Sequence, residues 1–129
     1  GNEYIIKASL GEIDYNDPNI IFLTKVNALI KLNNLNQITI TSKYGKYNSD
    51  NFDTIFSKNV IVNYLENKIE GEYLDFSLNR NLMIMSKQVV YTNLENILKA
   101  DVVEMNIKTK DTKIFMYEKE KKVNIQSKK

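Results

Sequence analysis

Four stretches of the chain repeat one order of apolar and polar positions. Ile6, Ile40, Ile69 and Leu98 head them, 34 positions apart at the first step (6 to 40) and 29 at the next two (40 to 69, 69 to 98). Two residues on stand Ala8, Ser42, Gly71 and Ala100, all small. Two further on stand Leu10, Tyr44, Tyr73 and Val102, and three beyond those stand Ile13, Tyr47, Phe76 and Met105. The sets Ile21, Ile55, Ile84 and Val26, Val60, Val89 keep the same offsets. A fixed period of roughly 20–50 residues marks one supersecondary unit stacked on copies of itself. Inside each unit the period is two, as in Ile38-x-Ile40-x-Ser42-x-Tyr44, Val60-x-Val62-x-Tyr64, Ile69-x-Gly71-x-Tyr73, Val89-x-Tyr91 and Val123-x-Ile125. Such alternation, filled with β-branched and aromatic residues, predicts strands with one face apart from the other. No window sustains apolar residues at i, i+3, i+4 and i+7, so helices are not expected.

Turn signals punctuate the runs: Tyr15–Asn19 with the only proline, Pro18, then Asn33-Asn34, Asn48–Asn51, Glu66-Asn67, Asn79–Asn81, Asn93–Asn96 and Lys110-Asp111. Asn and Asp suit such places because they tolerate left-handed backbone and bond to their own main chain. Strands of about 6–10 residues joined by turns of about 2–4 give two antiparallel strands per repeat. An insertion at Asn33–Gln37 lengthens the first repeat. The alternation also slips by one residue inside each repeat. Ile69, Gly71 and Tyr73 share one phase, whereas Leu74, Phe76 and Leu78 share the other. The slip predicts a bulge or corner where a strand passes between sheets. The small residue before it marks either a close approach there or tight packing.

Composition narrows the function. The chain has 129 residues and no cysteine or histidine, which removes disulfides, thiolate chemistry, the usual zinc sites and every histidine-based triad. No metal or cofactor is implied. Net charge is +2 and Arg80 is the only arginine, which counts against nucleic-acid binding. The longest apolar runs, Ile20–Leu23 and Leu82–Met85, are far shorter than the roughly 20 residues of a membrane span. The abundance of Asn, Lys and Ile fits a genome rich in A and T, so many of those residues need no specific role. The carboxylates Asp14, Asp50, Asp53, Glu66, Asp75, Asp101 and Asp111 lie mostly in or beside turns and form no inward pair, so the chain is not expected to be an enzyme.

The residues at 40–78 and 98–107 carry a further signal. Their order of apolar-x-small-x-x-apolar-x-x-apolar, then a turn, then an Ile-x-x-x-x-Val strand, resembles the OstA/LptA/LptC-like domains of lipopolysaccharide transport, over about Ile6 to Ile125. The run Phe56-Ser57-Lys58-Asn59-Val60 and the single-domain length are most similar to the LptC type, held in the inner membrane by one N-terminal helix; the soluble LptA type is the alternative. The resemblance implies an all-β fold, a twisted antiparallel β-jellyroll of two facing sheets shaped like a V, with 1–129 as one domain. Residues 1–3 would be a tag remnant or loose start, and 126–129 a loose basic tail. It also implies a non-enzymatic periplasmic role, shielding lipopolysaccharide acyl chains in an apolar groove. Neighbouring LptA-like jellyrolls and an LptB/LptF/LptG-like inner-membrane transporter would be partners, and an edge-to-edge homodimer is compatible with this.

The expected groove set is Ile40, Tyr44, Ile55, Val60, Val62, Ile69, Tyr73, Phe76, Ile84, Val89, Tyr91, Leu98, Val102 and Met105. The same residues would fill a closed sandwich core if no lipid bound. The expected docking edges are Tyr4-Ile5-Ile6 and Val123-Asn124-Ile125, because unpaired strand edges invite strand addition. Lys121, Lys122, Lys128 and Lys129 crowd the second edge, either as guards against pairing or as contacts to lipid phosphates. A structural protein that polymerises edge to edge around a dry core is the remaining alternative.

Overall fold

In the computed structural model, residues 2–33, 35–116 and the backbone of 124–127 are described. The strands are β1 (Glu3–Ile13), β2 (Ile20–Lys31), β3 (Gln37–Asn48), β4 (Thr54–Tyr64), β5 (Asn67–Ser77), β6 (Leu82–Thr92), β7 (Asn96–Asn106), β8 (Thr112–Phe115) and β9 (Asn124–Ser127). Each of β1 to β7 pairs antiparallel with the next, in sequence order, and β9 pairs with β7 beside β8. The result is the expected all-β jellyroll, and no helix occurs among the described residues. No described helix is long and apolar enough to cross a membrane.

The two facing sheets are two limbs of one bent sheet. Strands β1 to β7 run to 11 or 12 residues, longer than the sequence spacing predicts, because each turns the corner without ending. The corner follows a line across seven strands: the paired residues Ala8, Val26 and Ser42, then Val60 and Gly71, then Val89 and Ala100, the three groups meeting where the register shifts. The recurring small residues thus alternate with the recurring valines along the fold line. Gly71 shows why they are small. A Cβ there would lie 2.7 Å from the Met85 side chain and 3.4 Å from the Lys87 carbonyl oxygen.

Beside this row the even strands carry left-handed backbone at non-glycine residues: Lys25 in β2, Lys58 and Asn59 in β4, Lys87 and Gln88 in β6. Lys25, Asn59 and Gln88 keep the 34 and 29 spacing of the repeat. In β4 and β6 the pair forms a bulge, visible as a register shift against β3, β5 and β7. A bulge leaves one residue unpaired and sharpens the local twist and bend.

The turns behave as their composition demands. Backbone N–H groups of Asn16, Asn19, Asp50, Asp53, Glu95 and Lys108 donate to the side-chain oxygens of Asp14, Asp17, Asn48, Asn51, Asn93 and Asn106, each two residues back. This is the Asx turn, in which a side chain stands in for a main-chain partner.

Candidate functional site: an uncharged interior with two mouths

Because neighbours along a strand point to opposite faces, the register defines the interior as five rows. In the limb on the Ile6 side of the corner (limb A) these are Tyr4, Ile30, Ile38, Tyr64, Asn67, then Ile6, Ala28, Ile40, Val62, Ile69, Tyr91, Leu98. The corner row follows. In the other limb (limb B) come Gly11, Leu23, Gly45, Phe56, Leu74, Met85, Val103, Ile114, then Ile13, Ile21, Tyr47, Thr54, Phe76, Met83, Met105, Thr112. No row contains a charged residue. Ile38, Ile40, Phe56, Val60, Val62 and Phe76 are fully buried.

The limbs close on one another. The Tyr4 ring, on limb A, meets Phe76 of limb B edge-on at 5.4 Å and Tyr47 at 6.2 Å. Its hydroxyl lies 2.7 Å from Thr54 Oγ1. Thr54 Oγ1 itself donates to the Phe52 carbonyl at 3.1 Å, so its one proton is taken and Tyr4 is the donor between them. Burial pushes the Tyr4 phenol well above its ordinary value, which keeps the donor protonated. At another point Tyr64 donates to the Ile107 carbonyl at 3.5 Å, a longer link.

The cover is incomplete at two ends. On limb B of β1 and β2, Ile13 is 67% exposed and Ile21 and Leu23 are half-buried, although all three belong to inner rows. On limb A of β6 and β7, Tyr91 and Leu98 are half-buried. There Tyr91 donates to Asn67 Oδ1, and Asn67 Nδ2 donates to the Tyr64 carbonyl, so polar atoms at this mouth are paired within one limb. Among the described residues the sheet does not close: β1 stands at one end of the strand order, and β8 with β9 at the other.

Of the expected groove residues, Ile40, Val60, Val62, Ile69, Phe76, Val89, Tyr91, Leu98 and Met105 stand in inner rows. Tyr44, Ile55, Tyr73, Ile84 and Val102 stand on the opposite face, and this corrects their inward assignment. Tyr44, Tyr73 and Val102 sit two residues past the small corner residue, but the interior resumes three past it, at Gly45, Leu74 and Val103. Ile55 and Ile84 align with Ile21 in the sequence repeat. The bulge residue that β4 and β6 add turns them outward, between the buried pairs Thr54 and Phe56, and Met83 and Met85. Val102 is nevertheless buried, paired with Ser86 and Phe115 across the outer face.

Phe56, Leu74, Met83, Met85 and Val103 also stand in inner rows, although the expected groove set lacks them. The signal for Leu74 and Val103 was the three-residue step after Gly71 and Ala100. Met83 and Met85 supply flexible, polarizable surface that adapts to irregular occupants. Of the expected edges, Tyr4, Ile5 and Ile6 lie on the terminal strand β1, with Tyr4 and Ile6 turned inward and packed on the core. Asn124 and Ile125 pair with Lys99 and Leu98 on the outer side of β7. Val123, Lys121, Lys122, Lys128 and Lys129 lie outside the described residues.

The fold is similar to a solved one. The crystal structure of LptH, described as the LptA homologous periplasmic component of the conserved lipopolysaccharide transport device from Pseudomonas aeruginosa, matches with a TM-score of 0.74 at 8% identity, over 96% of this chain and 94% of that one. No family model matches the chain. No curated protein matches it either.

Proposed function

We propose that the chain is a non-enzymatic periplasmic module of lipopolysaccharide export, which covers acyl chains in its interior and passes them on by edge-to-edge docking. The observation that carries this reading is the interior: five rows spanning both limbs without one charge, open at two ends, in a sheet whose edges stay unjoined among the described residues. A lipid crossing water must hide its tails. At about 0.8 kcal/mol per CH₂, a 14-carbon chain costs roughly 10 kcal/mol to expose. An uncharged trough offsets that cost, and the fold shared with the Pseudomonas protein supports the same use.

The partners on this reading are lipopolysaccharide, neighbouring jellyrolls and the inner-membrane transporter. Strand addition at β1 and at the β8–β9 edge would extend the trough from one module to the next. The sequence resemblance favours the LptC type, anchored in the inner membrane, over the soluble LptA type. A roughly 20-residue apolar helix encoded ahead of Gly1 would assign the anchored type; a cleavable signal peptide would assign the soluble one.

Photo-crosslinking tests the interior directly. A photoreactive residue at Phe76 or Tyr91 should label lipopolysaccharide, whereas one at the outward positions Lys58 or Lys87 should not. Labelling confined to the outward positions would overturn the reading.

A further inference from the structure

The interior is filled by its own side chains, so a tail must part the limbs or displace what joins them. One element combines the means to hold the limbs and the freedom to release them. Tyr4 lies on β1, which pairs with a single neighbour, β2, among the described residues. From limb A it reaches across to limb B, placing its ring on Phe76 and Tyr47 and its hydroxyl on Thr54. Thr54 is fully buried and anchored in turn to the Phe52 carbonyl. The strand that carries this cross-limb hydrogen bond can therefore swing away at the expense of one backbone ladder, while β3 to β6 keep both of theirs.

We propose that Tyr4 and Thr54 form a clasp that holds β1 over the lipid trough, and that tails enter when this clasp releases. The proposal rests on the conduit reading and adds its regulation. The closed state is favoured by one hydrogen bond and two aromatic contacts, so removing only the hydroxyl shifts the balance toward the open state without emptying the interior. The apparent affinity for a tail rises with the fraction of open molecules.

The test compares Tyr4→Phe with Asn79→Ala. The second variant removes an exposed hydrogen bond to the Asn51 carbonyl, between two turns and outside the interior rows. Uptake of a fluorescent long-chain fatty acid is measured by stopped flow. Spin-label distances between Lys7 on limb A and Lys46 on limb B are measured without lipid.

Tyr4→Phe should raise the uptake rate about five-fold, the weight of one hydrogen bond, and lengthen or broaden the Lys7–Lys46 distance distribution. Asn79→Ala should leave both unchanged. Equal uptake and equal distances in the parent and Tyr4→Phe would overturn the clasp, as would equal effects of the two variants. Widened distances with no uptake by any variant would uphold the clasp and overturn the conduit reading instead.

Discussion

Limb A and limb B are built from the same seven strands, yet they differ in how their inward faces are set. In limb A simple alternation leads from Ile38 to Ile40 to Ser42, and from Val60 to Val62 to Tyr64, all buried. In limb B the alternation is equally regular but restarts in a new phase. Odd strands resume three residues past the small corner residue. In β4 and β6 an extra residue is absorbed in a left-handed bulge. A strand's face is thus a local property, reset at each corner. Apolar character alone does not report it, because limb B also carries apolar residues outward, such as Phe22 and Tyr44.

The sharpest way to break this comparison is to place the same charge on each limb. Val62 is fully buried in limb A, between Ile40 and Ile69. Val62→Lys should cost roughly 4 kcal/mol or more and leave little folded protein, because an unpaired ammonium would stand in apolar surroundings. Ile84 faces outward on limb B, with Asp75 and Glu104 opposite it on the two neighbouring strands. Ile84→Lys should change stability by less than about 1 kcal/mol, since cross-strand opposite charges are mildly favourable. Denaturant melts of the two variants check this. Similar losses would mean that the faces of limb B are assigned wrongly.

This contrast also marks where the sequence was legible. Strand number, turn positions and the corner were readable, because period-two alternation, Asx turns and the small-residue column are local signals repeated three or four times. The inner face of limb A was readable for the same reason. The inner face of limb B was not, for a one-residue step at Gly71 or an added residue at Asn59 exchanges the faces while keeping every apolar residue in place. The Tyr4–Thr54 contact was not readable either. It joins residues 50 positions apart and exists because the coil of the whole sheet carries one limb over the other.

A smaller effect sharpens the comparison at the fold line itself. Gly71 has no left-handed backbone to protect, so its role is space. Gly71→Ala brings a methyl to 2.7 Å and 2.8 Å from the Met85 side chain, which is flexible and able to move partway. The expected cost is about 1–3 kcal/mol, the usual range for overpacking. Adding Met85→Ala should recover part of it, because the second change clears the atoms that the first one strikes. Thermal melts of the two single variants and the double variant measure the coupling. If the double variant loses the sum of the single losses, the corner is not held by this contact.

The smallest effect separates a bulge from a regular strand on the same sheet. Gln88 is exposed in β6 with φ of 55°, a conformation that costs side chains with a Cβ. Gln88→Gly relieves that strain, but it also frees the unfolded chain, so the gain should be a modest 0.5–1 kcal/mol or about that. Thr41, exposed in the regular part of β3, has no strain to relieve. Thr41→Gly should lose about 1 kcal/mol through backbone entropy and lost strand preference. The two changes remove a side chain of similar exposure, so opposite signs would trace the difference to the backbone. A loss at both sites would mean that the bulge is stabilised by the Gln88 side chain, and that the repeat conserves its spacing at Lys25, Asn59 and Gln88 for contact rather than for curvature.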